Sequence, residues 1–204
     1  QAGFRRDRSA ADNIFVLQHS IERARAHNQV VYCAFIDFQK AYDSVNRDLL
    51  WPALHSLGVH GAFLRGLQHM YANVEMRVKL EGRLGKAFAA PLGVKQGDPL
   101  SPLLFGLFID RFERFVVQEC PALGIHLTDT QIVSLLLYAD DLVLMAHTPA
   151  DLQTLLDVLH TFSVANHLTV NVKKSKVLAC GAPEWGGHVL YGGKPLPTEQ
   201  SFVY

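Results

Sequence analysis

Three aspartates stand at positions where they could do chemistry. Asp140 and Asp141 interrupt the apolar run LLLYADDLVLM at residues 135–145, and Asp37 lies near the end of a second apolar run, VVYCAFIDF, at residues 30–38. An unpaired carboxylate is costly to bury, so such a group normally shifts its pKa or stays at the surface. An Asp-Asp pair alone fits a solvated turn, because Asp is a common turn residue. A third carboxylate at the end of another buried strand favours a shared site instead.

If both apolar runs are strands of one sheet, their ends can bring the carboxylates together. Carboxylates at one sheet edge repel each other and raise one another's pKa, and a divalent cation removes that penalty. Oxygen ligands without nearby His or Cys suit Mg²⁺ or Mn²⁺. Carboxylates that hold two ions about 3.5–4 Å apart are the arrangement for in-line phosphoryl transfer. The expectation is that Asp37 and Asp140 lie within reach of one ion.

The composition excludes several other classes of protein. The chain has 204 residues, of which 49% are hydrophobic, and a formal net charge of zero. This is enough for one or two domains with a real core, and a neutral balance still allows a local basic groove. The three cysteines are far apart and form no C-x-x-C motif, which predicts reduced thiols and an intracellular protein. The histidines lack zinc-ligand spacing, and no apolar run approaches the ~20 residues that span a bilayer.

Helical and strand periodicities alternate along the chain. The predicted helices cover roughly 13–27, 46–57, 61–72, 102–119 and a segment from Pro149 to Asn166 or His167, with N-terminal signals at Ser9-x-x-Asp12, Ser101 and Thr148. The predicted strands cover 30–38, 74–80 with a partner near 86–90, both halves of 135–145, and short segments after 176. The mixed order with a central hairpin predicts an α+β fold.

Six segments resemble, in order, the motifs of one enzyme family. The segments are QAGFR (1–5), FIDFQKAYDSV (35–45), GVKQGDPLSPLLF (93–105), LLYADDLVLMA (136–146), NVKKSK (171–176) and SFVY (201–204). They resemble the fingers motif, the successive palm motifs and the start of the primer grip of reverse transcriptases. The form DFQKAYD followed by SVNRDLLW is most similar to non-LTR (LINE-type) retrotransposons, with group II intron enzymes next nearest.

The resemblance implies the palm of a right-handed polymerase. Such a palm is an antiparallel sheet with helices packed on one face and a catalytic β-hairpin, here with part of the fingers and without a thumb. It implies that 1–29 and 74–95 belong to the fingers and that 30–73 and 96–204 are mainly palm. A chain without the thumb and the upstream triphosphate-binding residues is expected to be incomplete for activity alone.

The resemblance also assigns the metal ligands. Asp37 and Asp140 match the metal-binding aspartates of the family, and Asp141 matches its third catalytic carboxylate. The backbone carbonyl of Phe38 matches the position that also touches the nucleotide-bound metal. The implied cofactor is two Mg²⁺ ions, with Mn²⁺ as a possible substitute.

Three residues match positions beside the incoming nucleotide. Tyr42 matches the aromatic steric gate, whose ring rejects a ribose 2′-hydroxyl by a clash. Gln96 and Gly97 match residues beside the nucleotide and the template base, where Gly allows close backbone approach. The structural alternatives are a packed core aromatic for Tyr42 and a plain Gly-Pro turn for the Gln96-Gly97 loop.

The basic residues are less specific. Lys174 matches a lysine that protonates the pyrophosphate leaving group, but Lys173 and Lys176 are rivals, and a solvated basic run explains all three equally well. Arg5, Arg6 and Arg8 could contact template phosphates or form an exposed basic face.

Asp43 is interpreted differently from the other aspartates. It lies just ahead of the helix predicted from about residue 46, and it is expected to be structural, as a helix cap or ion-pair partner.

The resemblance implies an RNA-directed DNA polymerase that uses an RNA template, a DNA primer and dNTPs, without a membrane, and that acts inside the cell, in the nucleus for a retrotransposon product. A degenerate copy that binds RNA or protein without catalysis remains the main alternative. A metal-dependent nuclease is a weaker one, because it has no use for Tyr42 or the Gln96-Gly97 loop.

Overall fold

The computed structural model describes residues 1–95, 97–128, 130–182 and 185–200. Its helices are α1 (Ala10–Ala26), α2 (Ala41–Ser44), α3 (Arg47–Ser56), α4 (Gly61–Ala72), α5 (Ser101–Glu119) and α6 (Pro149–Ala165). Its strands are β1 (Val31–Ile36), β2 (Glu75–Met76), β3 (Lys79–Leu80), β4 (Arg83–Leu84), β5 (Phe88–Ala89), β6 (Ile125–His126), β7 (Ile132–Val133), β8 (Leu135–Tyr138), β9 (Asp141–Ala146), β10 (Lys176–Cys180), β11 (Leu190–Tyr191) and β12 (Lys194–Pro195).

Four strands form the central sheet in the spatial order β10-β1-β9-β8, and every neighbouring pair is antiparallel. β8 and β9 are consecutive and form a hairpin in which Tyr138 pairs with Asp141. β1 lies between β9 and β10, and all six of its residues are buried. A strand covered on both faces needs apolar side chains at every position, which explains the unbroken apolar run around β1.

The two faces of the sheet are covered by different helices. On one face, Ala34 and Ile36 of β1 join a core built with α3, α4, α5 and α6. On the other face, Cys33 and Phe35 pack with Ala24 of α1. Successive side chains of a strand point to opposite faces, so β1 contributes alternately to both cores. The predicted α+β palm with an antiparallel sheet and a β-hairpin is confirmed, and α1 additionally covers part of the second face.

Helix ends follow local capping chemistry, with one correction. α1 begins with its predicted capping box, and the Thr148 side chain accepts a hydrogen bond from the Asp151 N–H at the start of α6. The prediction that Ser101 is the N-cap of α5 is wrong, because Leu100 holds that position and Ser101 is already helical and buried. The Asp98 carboxylate accepts from the Leu100 N–H at 2.9 Å, so the acceptor stands three residues earlier than predicted.

The predicted strand at 74–80 is present only in two short pieces. β2 pairs with β5 and β3 pairs with β4, which gives an interrupted hairpin with its turn at Glu81 and Gly82. Every residue from Glu75 to Ala89 is exposed. A two-stranded hairpin without a packed face is marginal, which accounts for the broken ladder. The assignment of this hairpin to the fingers stays a prediction.

Within the described part of the chain, no helix combines the length and the apolar character that crossing a membrane requires.

Candidate active site

The strand register brings the three predicted carboxylates to one edge of the sheet. The last pair between β1 and β9 is Ile36 with Leu142, so the next positions outward are Asp37 and Asp141. Asp140 lies in the tight turn of the β8–β9 hairpin, directly before Asp141. The two separate apolar runs of the sequence therefore end at the same place, as expected.

Asp37 and Asp141 also share one face of the sheet. Ile36 and Phe38 both belong to the core beneath α5 and α6, so Asp37 between them points the other way. Val143 belongs to the opposite core, and Asp141 stands two residues before it on the same strand face. Both carboxylates thus lie on the face away from α5 and α6.

The electrostatics confirm that these groups lie close together. The pKa of Asp141 is raised, first by partial desolvation of its carboxyl group and then by the negative charges of Asp140 and Asp37. The pKa of Tyr42 is also raised, first by burial and then by Asp140 and Asp141. The phenol of the predicted steric gate therefore lies within electrostatic reach of the hairpin carboxylates.

The spacing of these carboxylates decides whether they could hold a single metal ion. Among the residues that the structure describes, no three or more His, Cys, Asp or Glu side chains are placed so that they could hold one ion. Like charges that are not neutralised favour conformations in which they stay apart. The donor set still fits a divalent cation, since it offers carboxylate oxygens whose mutual repulsion a cation would relieve. A metal ion shared by Asp37 and Asp140 stays a prediction.

The segment before β10 holds the backbone of Asp37 in place. The Asp37 N–H donates to the Ser175 hydroxyl at 3.1 Å, and the Asn171 N–H donates to the Asp37 carbonyl at 2.7 Å. The fully buried Ser175 in turn donates to the Asn171 carbonyl at 2.9 Å. Phe38 is buried and forms an isolated antiparallel β-bridge with Val170 of the same segment. This pairing fixes the backbone of Phe38 directly after Asp37.

The three candidate lysines differ in their surroundings. Lys174 is exposed and lies in the turn that contacts Asp37, next to Ser175. The ammonium group of Lys176 forms an ion pair with Glu199 at 2.7 Å and is therefore less free to act as a proton donor. Lys173 is exposed like Lys174. Of the two rivals, Lys176 is therefore the less available, and the proton-donor role of Lys174 stays a prediction.

Tyr42 packs against α5 and bonds to the loop before Gly97. Its ring stacks on Phe105 with 4.8 Å between centroids, and its carbonyl accepts from the Val94 N–H at 2.8 Å. Gly97 is exposed with a φ of +87°, and an added Cβ there would meet no atom within 4 Å. Glycine is thus favoured at Gly97 by backbone conformation and not by lack of space. Gln96 lies outside the described residues.

The predicted phosphate-binding arginines differ from each other. Arg5 forms an ion pair with Asp110 of α5, which ties the first residues of the chain to that helix. Arg6 lies 3.6 Å from Asp7, and both side chains are almost fully exposed. Surface pairs of this kind contribute little to stability. Arg6 is thus available to an anionic partner, and the roles of both arginines stay predictions.

Sequence reasoning missed the residue that braces the loop before Gly97. The buried guanidinium of Arg47 donates to the backbone carbonyls of Gly93 at 2.8 Å, Leu92 at 3.0 Å and Tyr71 at 3.0 Å. Burial lowers the pKa of Arg47. An arginine inside the sequence SVNRDLLW has no local signal that distinguishes a buried brace from a surface charge.

The structural role predicted for Asp43 takes a different form. Asn46 caps α3 by accepting from the Asp48 N–H at 2.9 Å, so the interpretation of Asp43 as a helix cap is wrong. The Asp43 side chain is exposed, while its backbone packs against Gly93. Position 43 therefore matters through its main chain.

Comparison with known proteins identifies the family. The family model described as "Reverse transcriptase (RNA-dependent DNA polymerase)" matches residues 1–201. The chain belongs to the reverse transcriptase family. Members of this family generally use divalent metal ions.

Similar curated proteins come from retrotransposons, as the resemblance to non-LTR elements implied. The chain is 33% identical over 85% of its length to the Retrovirus-related Pol polyprotein from type-2 retrotransposable element R2DM of Drosophila melanogaster, of which it covers 16%. It is 31% identical over 83% of its length to the corresponding polyprotein from type-1 retrotransposable element R2 of Nasonia vitripennis, of which it also covers 16%. Across the similar curated proteins, the chain spans 13–27% of their length.

Similar solved structures share the fold of this chain. Apo telomerase from Candida tropicalis, truncated from its C-terminal domain, superposes with a TM-score of 0.61 at 18% identity, over 87% of this chain and 36% of that one. Candida tropicalis telomerase in complex with the TWJ fragment of telomeric RNA gives a TM-score of 0.61 at 14% identity, over 92% and 31%. At these identities the likeness concerns the fold.

Proposed function

We propose that this chain is the catalytic core of an RNA-directed DNA polymerase, which adds deoxynucleotides to a primer 3′-hydroxyl within the protein of a non-LTR retrotransposon. The observation that carries the proposal is the meeting of Asp37 with the Asp140–Asp141 turn at one sheet edge, with Tyr42 beside them. The family of the chain and its retrotransposon relatives support the same activity.

Asp37, Asp140, Asp141 and the carbonyl of Phe38 would hold two divalent cations, Mg²⁺ or Mn²⁺. When bound, such a pair of ions lowers the pKa of the attacking hydroxyl and stabilises the charge on the leaving group. The carboxylates provide the negative charge that two divalent cations require, and their mutual repulsion is relieved in the same event.

The other residues orient and select the substrates. The primer 3′-hydroxyl attacks the α-phosphorus of a dNTP, and pyrophosphate leaves. Lys174 would donate a proton to that pyrophosphate, and Gln96 and Gly97 would lie along the nucleotide and the template base. Arg5 and Arg6 would contact phosphates of the RNA template, with sequence read by base pairing and not by the protein.

The test is primer extension on poly(rA) primed with oligo(dT), using the full-length protein that carries this chain. We expect incorporation of dTTP that requires Mg²⁺ or Mn²⁺, stops with a chelator and resumes when excess Mg²⁺ is added. Lack of extension on the RNA template would contradict the polymerase proposal. Extension that continues in the chelator would contradict the metal assignment.

Tyr42 provides a test of sugar selection. Tyr42→Ala is expected to admit ribonucleotides, because the ring that clashes with a 2′-hydroxyl is gone. The measurement is the ratio of kcat/KM for dTTP to that for UTP. Removal of the clash should lower this ratio about tenfold or more. Phe63→Ala, at an exposed aromatic on α4, serves as the control. An unchanged ratio in Tyr42→Ala would leave Tyr42 as a packing residue.

The proposal includes a nuclear site of action inside the cell, since a retrotransposon inserts into chromosomal DNA. A fluorescent fusion of the full-length protein that is excluded from the nucleus during insertion would contradict it.

One observation favours a second candidate function, a binding module without catalysis. Among the described residues, no three His, Cys, Asp or Glu side chains are grouped closely enough to hold one ion. Calorimetric titration with Mn²⁺ separates the two candidates, because a polymerase core binds the ion through its aspartates. Binding that is unaffected by Asp37→Asn would favour the module.

A further inference from the structure

The turn that carries the catalytic aspartates contains an unusual backbone conformation. Ala139 immediately precedes Asp140 and has a φ of +54°, in the left-handed region. Non-glycine residues rarely adopt this region, because Cβ approaches the following carbonyl oxygen. Ala139 is also buried, at 8% exposure. Surrounding contacts must therefore hold this residue, and its conformation sets the direction in which the chain continues to Asp140.

The side chain of Gln1 supplies two of these contacts. Its Nε2 donates to the Ala139 carbonyl at 3.1 Å, and its Oε1 accepts from the Ala139 N–H at 2.9 Å. One amide thus satisfies both the donor and the acceptor of a single backbone residue, as a neighbouring strand would. Since an unpaired backbone group in a buried place is costly, these bonds favour this conformation of the turn.

The rest of the first segment fixes the position of that amide. The Ala2 N–H donates to the Leu137 carbonyl at 2.8 Å, and the Gly3 N–H donates to the Gln1 Oε1 at 2.7 Å. A Cβ built on Gly3 would lie 2.3 Å from the Ala139 nitrogen, so the segment passes the turn at a distance that only glycine allows.

We propose that Gln1 is a positioning residue of the active site, which clamps the Ala139 backbone and thereby aims Asp140 and Asp141. This inference rests on the proposed polymerase function. Gln1 does not touch substrate; it acts through the turn. The Arg5–Asp110 ion pair anchors the same segment on α5. The QAGFR segment is thereby a support of the catalytic hairpin, 138 residues away in sequence.

The first arm of the test is Gln1→Met in the full-length protein, which keeps the side-chain length and removes both hydrogen bonds. We expect kcat for dTTP addition to fall by about tenfold to a hundredfold, as for a small misplacement of reacting groups. The affinity for the primed RNA template should not change, and the Mg²⁺ concentration for half-maximal rate should rise. Gln18→Met is the matched control, because the Gln18 amide bonds Glu22 on the exposed surface of α1.

The second arm separates aiming of the turn from docking of the segment. Glycine adopts a positive φ freely, so Ala139→Gly makes the turn less dependent on the clamp. Gln1→Met should therefore lower kcat much less in the Ala139→Gly background than in the wild type. Equal losses in both backgrounds would mean that Gln1 merely docks the segment, and the inference would be wrong.

The outcomes also distinguish this inference from the proposed function. A wild-type protein that does not extend the primer contradicts the function itself. An active wild type with an equally active Gln1→Met variant contradicts the clamp alone. If Gln1→Met lowers Tm, Gln1→Glu serves instead, because it keeps the acceptor for the Ala139 N–H and loses the donor. An intermediate kcat then supports the clamp, and a wild-type kcat contradicts it.

Discussion

Asp140→Asn is expected to abolish nucleotide addition while leaving the fold intact. Asparagine keeps the size of the side chain but removes the charge that a divalent cation needs. Loss of metal-assisted charge stabilisation costs on the order of 4 kcal/mol in the transition state, which is about a thousandfold in rate. The measurement is kcat/KM for dTTP on a primed RNA template.

Asp140→Asn should not lower the stability of the fold, in contrast to its effect on activity. Partial desolvation and then the charge of Asp140 raise the pKa of Asp141, and the second cause means that the two negative charges oppose each other in the folded protein. Removing one charge relieves that repulsion, so the free energy of unfolding without metal should stay the same or rise slightly. An inactive variant that unfolds as late as the wild type in urea is the signature of a catalytic role.

Asp43→Asn is the matched control. Asp43 belongs to the same motif as Asp37, but its side chain is exposed and its contribution runs through the backbone. We expect activity close to that of the wild type. Full activity in Asp140→Asn would contradict the assignment of the metal-binding aspartates. A loss of activity in Asp43→Asn as large as that in Asp140→Asn would contradict it as well.

The meeting of the three carboxylates at one sheet edge was predictable because the signals for it are local. Asp37 ends a run that reads as a buried strand, and Asp140 and Asp141 interrupt a second one. Their meeting required only that the two runs pair in one sheet. The family motifs supplied Tyr42 as the predicted steric gate, and Tyr42 lies within electrostatic reach of the hairpin carboxylates.

The supports of that edge were not predictable, because each depends on a contact between distant segments. The amide of Gln1 reaches Ala139 across 138 positions, and Ser175 reaches the backbone of Asp37 across the same number. Arg47 is identified as a buried brace only when the carbonyls it reaches are known. A sequence pattern reports the periodicity of an element, whereas these roles depend on which backbone groups lack another partner.

Local chemistry also explains the smaller errors. Ser101 is a good N-cap residue, but a carboxylate three positions earlier reaches the orphan N–H of Leu100 first. The alternating run at 74–80 has the period of a strand, but all of it from Glu75 onward is exposed, so pairing is limited to short ladders. Periodicity predicts which side chains could be buried and not whether anything covers them.

Gly93→Ala is expected to destabilise the fold strongly. Gly93 has a φ of +81°, and a Cβ there would lie 2.7 Å from the Asp43 carbonyl oxygen and 2.8 Å from its Cα. The left-handed backbone costs an alanine about 1–2 kcal/mol, and the overlap with rigid main chain adds about 1–3 kcal/mol. We expect a loss of about 2–5 kcal/mol in the free energy of unfolding by urea.

Gly82→Ala isolates the part of this effect that comes from the contact. Gly82 has the same φ of +81°, but a Cβ there would meet nothing within 4 Å. Its substitution should cost only the backbone term of about 1–2 kcal/mol. The difference between the two variants therefore measures the packing of the loop before Gly97 against the main chain that follows Tyr42.

That packing connects the two predicted nucleotide-binding segments. The Gly93 N–H donates to the Val45 carbonyl, and the Val94 N–H donates to the Tyr42 carbonyl, both at 2.8 Å. Displacing Gly93 should therefore move the steric gate, and the KM for dTTP should rise in Gly93→Ala but not in Gly82→Ala. Equal losses of stability in Gly93→Ala and Gly82→Ala, with an unchanged KM for dTTP, would show that the loop and Tyr42 are independent. The close approach at Gly93 would then not contribute to the nucleotide site.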